Sequence, residues 1–336
     1  MKPRIFIHIG THKTGSTAIQ RALLSGAKGL VRLLYHEDIS RASWGAEDVQ
    51  RLVALFHSHK TADASTKYLL SNERFSGEPL SGYDDAAMMA ERVRDITAEF
   101  DPKIIVYLRR QDDFIESMYT QMIHQGGSLS FQAFLQQIQP ERMNWHRLLE
   151  TYSGVFGREN MIVRRYHSDF YPKPESLLHD FCEIVGIKPE DVTEKNAAST
   201  PNVGYSRESL ELARKCNPQF DAAEKKQLRK MLQKLSPKPF SQNYSYLDLD
   251  SRRQILAACA DSNAAVRRDY FSHLPEGESL FPEPVEGAAT EAEEDKLTPM
   301  LVKMLVRSQL AERESGILRF AHKLDRLKSK LRGKQS

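Results

Sequence analysis

Cysteine is nearly missing from this chain. The three present, Cys182, Cys216 and Cys259, lie far apart and form no Cys-x-x-Cys pair. That pattern excludes a disulfide framework and a thiolate zinc site, fits a reducing compartment, and leaves the three thiols as small buried hydrophobes. Long apolar runs are missing as well. No stretch approaches the roughly 18 residues of a membrane span, and the apolar run behind Lys2 and Arg4 is too short for a secretory core. The chain is therefore expected in the cytoplasm. Neither sign of charge dominates: 48 Lys and Arg against 45 Asp and Glu leave a net +3, which makes no electrostatic case for nucleic acid as a partner. No carboxylate cluster or internal repeat stands out, so neither a metal cofactor nor a solenoid is expected. With 40% hydrophobic and 28% charged residues, the composition is that of an ordinary globular chain.

What is present concentrates in two places. The first is Arg4-Ile5-Phe6-Ile7-His8-Ile9-Gly10-Thr11-His12-Lys13-Thr14-Gly15-Ser16-Thr17. Its apolar run predicts a buried strand, two glycines close a loop, and Ser16 opens a helix. Glycines let a loop backbone wrap an anion, and the free N–H groups at a helix start point at it. The spacing approaches that of the nucleotide-triphosphate loop, in which lysine directly follows the second glycine. Here Ser16 holds that place and the lysine, Lys13, sits between the glycines. The loop is thus an oxyanion cradle with its own ammonium, but without the lysine that grips β- and γ-phosphates.

The second place is 103–119, where an apolar run ends in Arg109-Arg110 and Ser117 follows in the first turns of the next helix. A planar guanidinium clamps a phosphate through two parallel hydrogen bonds, and a nearby hydroxyl adds a third. Arg110 is the shifted alternative to Arg109. An ion-paired strand end with a surface serine is the plain alternative to both.

Thr11-His12-Lys13-Thr14-Gly15-Ser16-Thr17 resembles the 5′-phosphosulfate-binding loop of sulfotransferases that use 3′-phosphoadenosine-5′-phosphosulfate (PAPS). The element from Arg109 to Ser117 is similar to the 3′-phosphate site of the same family. The resemblance covers about residues 1–200. It implies an α/β fold, a parallel sheet of about five strands flanked by helices in the P-loop manner, with strand order 2-1-3-4-5. It also implies PAPS as co-substrate, held by Thr11, Lys13, Thr14, Gly15, Ser16, Thr17, Arg109 and Ser117, with adenosine 3′,5′-bisphosphate as product. Lys13 would meet the charge that develops as the sulfonyl group leaves. In the family a late basic loop closes over the 3′-phosphate, and Lys195 and Arg207 are the candidates for it here. The Arg-Lys-Gly loop of cytosolic small-molecule members is absent.

Glu73, in Leu69-Leu70-Ser71-Asn72-Glu73-Arg74-Phe75, follows the third predicted strand, where polysaccharide-type sulfotransferases carry their catalytic glutamate. It is the first candidate for the base that takes the acceptor's proton, with His12 and His124 as alternatives. The acceptor is expected to be a glycan, a glycolipid or a small alcohol, the glutamate favouring a glycan. A nucleotide-dependent kinase and a non-catalytic binding protein on the same scaffold are the competing readings.

Along the chain, apolar runs predict strands at 4–9, 31–35, 67–71, 103–108 and 161–166, separated by helical spacing such as Val49, Leu52, Val53, Phe56 and Trp145, Leu148, Leu149, Tyr152, Phe156. Residues 1–205 are read as the α/β core and 206–275 as helices packed on it. Residues 276–296, acidic and without a basic residue from Glu276 to Asp295, are read as a flexible linker. The tail, 297–336, reads as a basic amphipathic helix able to lie on an anionic membrane surface or to mediate self-association.

Overall fold

The computed structural model describes residues 2–23, 30–32, 45–58, 66–192, 206–235 and 245–286, together with 301, 304, 305, 308 and 312. The chain divides into two compact units. Met1–Gln121, Ser130–Asn202 and Ser245–Ala289 make the first, and Met122–Leu129, Val203–Tyr244 and Thr290–Ser336 the second.

The first unit is built on five parallel strands, β1 (Arg4–His8), β2 (Leu30–Arg32), β3 (Lys67–Ser71), β4 (Asp101–Arg109) and β5 (Met161–Tyr166). The parallel α/β sheet agrees with the expectation from sequence, but the order does not. It runs β2-β3-β1-β4-β5, so β1 pairs with both β3 and β4, and β2 lies outside β3. Ile5 and Ile7 on one face of β1 and Phe6 and His8 on the other are all buried, and a strand buried on both faces belongs at the centre of a parallel sheet. β2, three residues long, suits an edge. The chain leaves β1 toward β2 on one side and β4 toward β5 on the other, so the order reverses between β1 and β4. Ligands of open α/β sheets settle beyond the strand ends at such a switch point.

Helices cover the sheet: α1 (Ser16–Ala22), α2 (Ala46–Ser58), α3 (Ala86–Ile96), α4 (Gln111–His124), α5 (Phe131–Gln137), α6 (Trp145–Phe156) and α7 (Pro174–Val185). The stripe of α6 is buried as its spacing requires, with Trp145, Leu148, Leu149, Tyr152 and Phe156 all inside. That of α2 is narrower than expected: Leu52 and Phe56 are buried, whereas Val53 is 39% exposed. Gly186, at φ +65°, ends α7 in the left-handed conformation that glycine adopts without cost.

Helices α10 (Leu249–Ala258) and α11 (Ala260–Tyr270) also belong to the first unit. α10 is tied to α4 by ion pairs, and α11 by the Asn263 and Gln111 amides, 2.7 Å apart. Arg252, almost fully buried, donates to Asp112, Asp113 and Glu116 on α4, and Glu116 also accepts from the backbone N–H of Leu247 at 3.0 Å. The acidic segment departs from a free linker over its described part: Leu280 and Phe281 are buried, and the Arg110 guanidinium donates to the Pro282 carbonyl at 2.8 Å. Two neighbouring apolar residues outweigh a charge-rich composition there. Residues 287–296 lie outside the described residues.

The second unit contains α8 (Arg207–Cys216) and α9 (Ala222–Leu235). The Asn217 amide donates to the carbonyls of Ile123 at 3.0 Å and Gly127 at 2.7 Å, joining the end of α4 to the turn after α8. Most of the basic tail lies outside the described residues. Among the described residues no helix is long and apolar enough to cross a membrane. Cys182 and Cys259 are buried, Cys216 is half-buried, and all three are free thiols.

Candidate functional site

At the end of β1 the backbone turns through Gly10 (φ +43°) and Gly15 (φ +81°), with Lys13 also left-handed at φ +68°. A lysine in that region carries a strain of roughly 1–2 kcal/mol. The strained carbonyl of Lys13 accepts a hydrogen bond at 2.9 Å from Nη1 of Arg109, at the end of β4. Loop and strand-end arginine, 96 residues apart, are thereby joined at the switch point.

The loop's own hydroxyls divide by role. Thr11 donates to the Tyr107 carbonyl at 2.7 Å, and Thr14 donates to the Thr11 carbonyl at 2.6 Å. Their protons are used in shaping the turn. Ser16 is 3% exposed and its Oγ has no partner, nor does the half-buried Thr17 hydroxyl find one among the described residues. The amides of Gly15, Ser16 and Thr17 likewise meet no acceptor among the described residues, whereas those of Ala18 and Ile19 return to the Gly15 carbonyl. Unsatisfied donors converging on one loop are the arrangement that an anion completes. Lys13 Nζ rests 3.4 Å from Gln121 Oε1.

The structure separates the two arginines. Arg110 is buried, bound to Asp112 through two nitrogens at 2.7 and 3.0 Å, and spent on Pro282. Arg109 is half-buried, lies over the Tyr166 ring at 5.8 Å, and has its own carbonyl anchored by the Trp145 indole at 2.8 Å. Asp113 stands in its field. Burial alone would raise that carboxyl, but Arg109, Arg110 and Arg252 outweigh it and hold the group below the usual carboxylate range. Ser117 is half-buried on α4, and its side chain makes no hydrogen bond to Arg109 among the described residues.

Glu73 begins a single 3-10 turn, Glu73–Ser76, directly after β3, capped by the Asn72 side chain accepting from the Arg74 N–H at 2.9 Å. It is half-buried. Between this turn and the loop, sequence reasoning missed Tyr83. Buried and at φ +62°, it places its hydroxyl 3.3 Å from the His12 backbone N and 3.4 Å from His12 Nδ1, and it feels the Glu73 carboxylate. Burial, then Glu73, raises the Tyr83 pKa. No motif announces a tyrosine reached only through tertiary contact. Desolvation, reinforced by Lys13 and Arg74, lowers the His12 pKa to about 4, which keeps the ring neutral near pH 7 and no more basic than an ordinary carboxylate. His124 ends α4 in the second unit, as Arg207 begins α8 there. Lys195 lies outside the described residues.

No family model matches this chain. A protein of Archaeoglobus fulgidus carrying the name uncharacterized protein is 25% identical over 171 residues, which is 50% of this chain and 46% of that protein. The chain thus matches about half the length of this curated relative. Among solved structures, a sulfotransferase from Alicyclobacillus acidocaldarius aligns with 80% of this chain and 95% of its own at 16% identity and a TM-score of 0.43. A sulfotransferase domain from the curacin biosynthetic pathway aligns with 77% and 98% at 15% identity and a TM-score of 0.36.

Proposed function

We propose that the chain is a PAPS-dependent sulfotransferase whose site lies at the switch point between β1 and β4. The observation that carries the reading is the bond from Arg109 to the Lys13 carbonyl, which ties an oxyanion loop to a strand-end guanidinium at the switch point. The unpartnered Ser16 hydroxyl and the unsatisfied loop amides fit a phosphosulfate. Ser16, Thr17 and those amides would hold its oxygens, and Arg109 the 3′-phosphate, while Thr11 and Thr14 shape the loop instead of donating their hydroxyls. The donor supplies an activated sulfonyl group, which forms a bond to an acceptor oxygen as its bond to the phosphate oxygen breaks. Lys13 offsets the negative charge gathering on the departing phosphate. Glu73, which opens the turn at the end of β3 and acts on the Tyr83 hydroxyl beside the loop, takes the acceptor's proton. An acceptor with a hydroxyl, such as a glycan, suits a carboxylate base.

Calorimetric titration tests this. Tight binding of adenosine 3′,5′-bisphosphate without magnesium is expected, and lost in Arg109→Ala. Magnesium-dependent ATP binding, with none of the bisphosphate, would replace this reading with a kinase.

A further inference from the structure

Beneath the loop runs a line of buried polar groups that the transfer step above leaves unused. His8, the last residue of β1, has no solvent exposure. Its Nδ1 lies 2.8 Å from Ser71 Oγ at the end of β3. The Gln20 side-chain nitrogen lies 3.4 Å from that same Oγ and 3.3 Å from the Ser71 carbonyl oxygen. A carbonyl only accepts, so the nitrogen side of the Gln20 amide faces Ser71. Ser71 Oγ therefore accepts from Gln20 with one lone pair and has its own hydrogen to donate, which His8 Nδ1 takes when the ring carries its proton at Nε2.

A neutral imidazole that accepts at Nδ1 carries its proton at Nε2. Burial keeps this ring neutral, lowering its pKa to about 3. The aromatic faces of Tyr107 and Phe181, 5.8 and 5.4 Å away by ring centroids, complete its surroundings. His8 Nε2 and Ser16 Oγ are both buried and both without a hydrogen-bond partner. They also crowd one point: a methyl group on Gly10 would lie 2.7 Å from Ser16 Oγ and 3.3 Å from His8 Nε2. A bond between the two atoms would satisfy both, in keeping with the rule that buried polar groups are paired.

We propose that His8 is a positioning residue acting through Ser16: its Nε2–H donates to Ser16 Oγ and so turns the serine O–H toward the anion held by the loop. The chain of donors then has one direction, from Gln20 to Ser71 to His8 to Ser16 to ligand. Gly10 is the residue that leaves room for the third of these links. The last link rests on the sulfotransferase reading; the first three do not.

Nitrogen-15 NMR of the full chain, labelled at histidine, tests the direction. His8 is expected as the Nε2–H tautomer, neutral throughout pH 5 to 8, and the Nδ1–H tautomer would overturn the proposal. Affinity for adenosine 3′,5′-bisphosphate tests the consequence. Ser16→Ala and His8→Phe should each weaken binding about tenfold, as loss of a hydrogen bond to a charged group does. The double variant should be no weaker than Ser16→Ala, and His8→Gln, which retains a donor near the Nε2 position, should recover most of the loss. Effects that multiply in the double variant, or a folded His8→Phe protein with unchanged affinity, would overturn the proposal. Failure of the unaltered protein to bind the bisphosphate would sink the sulfotransferase reading instead, and the tautomer measurement would then decide the chain of donors alone.

Discussion

Lys13 and Arg109 carry the chemistry proposed here, and their neighbours carry its control. Lys13→Ala should lower turnover by about 100-fold or more, as removal of a preorganised charge at a developing oxyanion does, with bisphosphate affinity falling less; single-turnover kinetics with labelled donor would separate the two. Arg109→Ala and Arg110→Ala form a matched pair. The first should weaken nucleotide binding, because Arg109 touches the loop. The second should leave Asp112 without its two-pronged partner and appear in the denaturation midpoint. Glu73→Gln should abolish the chemical step while leaving donor binding intact, and unchanged single-turnover chemistry would exclude Glu73 as the base. His8 has a further consequence. Its ordinary pKa is near 6.5 and its folded value about 3, so between these values the unfolded chain binds the extra proton and the folded one does not. Stability therefore rises with pH through that window and is lost as pH falls, by about 1.4 kcal/mol per unit for one such group. Thermal melts between pH 6.5 and 4 should show a steep fall that His8→Gln flattens.

At the scale of the element, the loop after β1 depends on two left-handed glycines. Gly15 is the N-cap of α1, and a methyl group there would lie 2.4 Å from Leu177 Cδ2 as well as adopting φ +81°. Gly15→Ala should therefore weaken nucleotide binding and cost about 1–2 kcal/mol of stability, although alanine is ordinarily the better helix former. Calorimetry and urea denaturation check the two halves. These glycines were legible because left-handed backbone is a local demand that residue type reveals. Glu73 at the end of β3 was legible for a similar reason, as it follows an apolar run closely. Tyr83 was not, since its place depends on a contact with His12 across 71 residues.

For the whole molecule, the Arg252 network ties α10 to α4 in the unit that carries the site. Breaking a buried ion pair from one side leaves charges without a partner, typically at a cost of about 3–5 kcal/mol. Arg252→Leu should lower the urea midpoint accordingly.

By itself the sequence determined what is local: which runs form strands, where the backbone must turn left-handed, and that an ammonium and a guanidinium follow the ends of two strands. Apolar patterning and glycine geometry act over a few residues, so they survive in a linear reading. The tertiary structure alone decided the strand order, the different partners of Arg109 and Arg110, the burial of Leu280 and Phe281 within an acidic segment, and the meeting of His8, Ser71 and Gln20 beneath the loop. Each of these turns on partners far apart in the chain, whose pairing is chosen by burial and by hydrogen-bond satisfaction once the sheet has assembled.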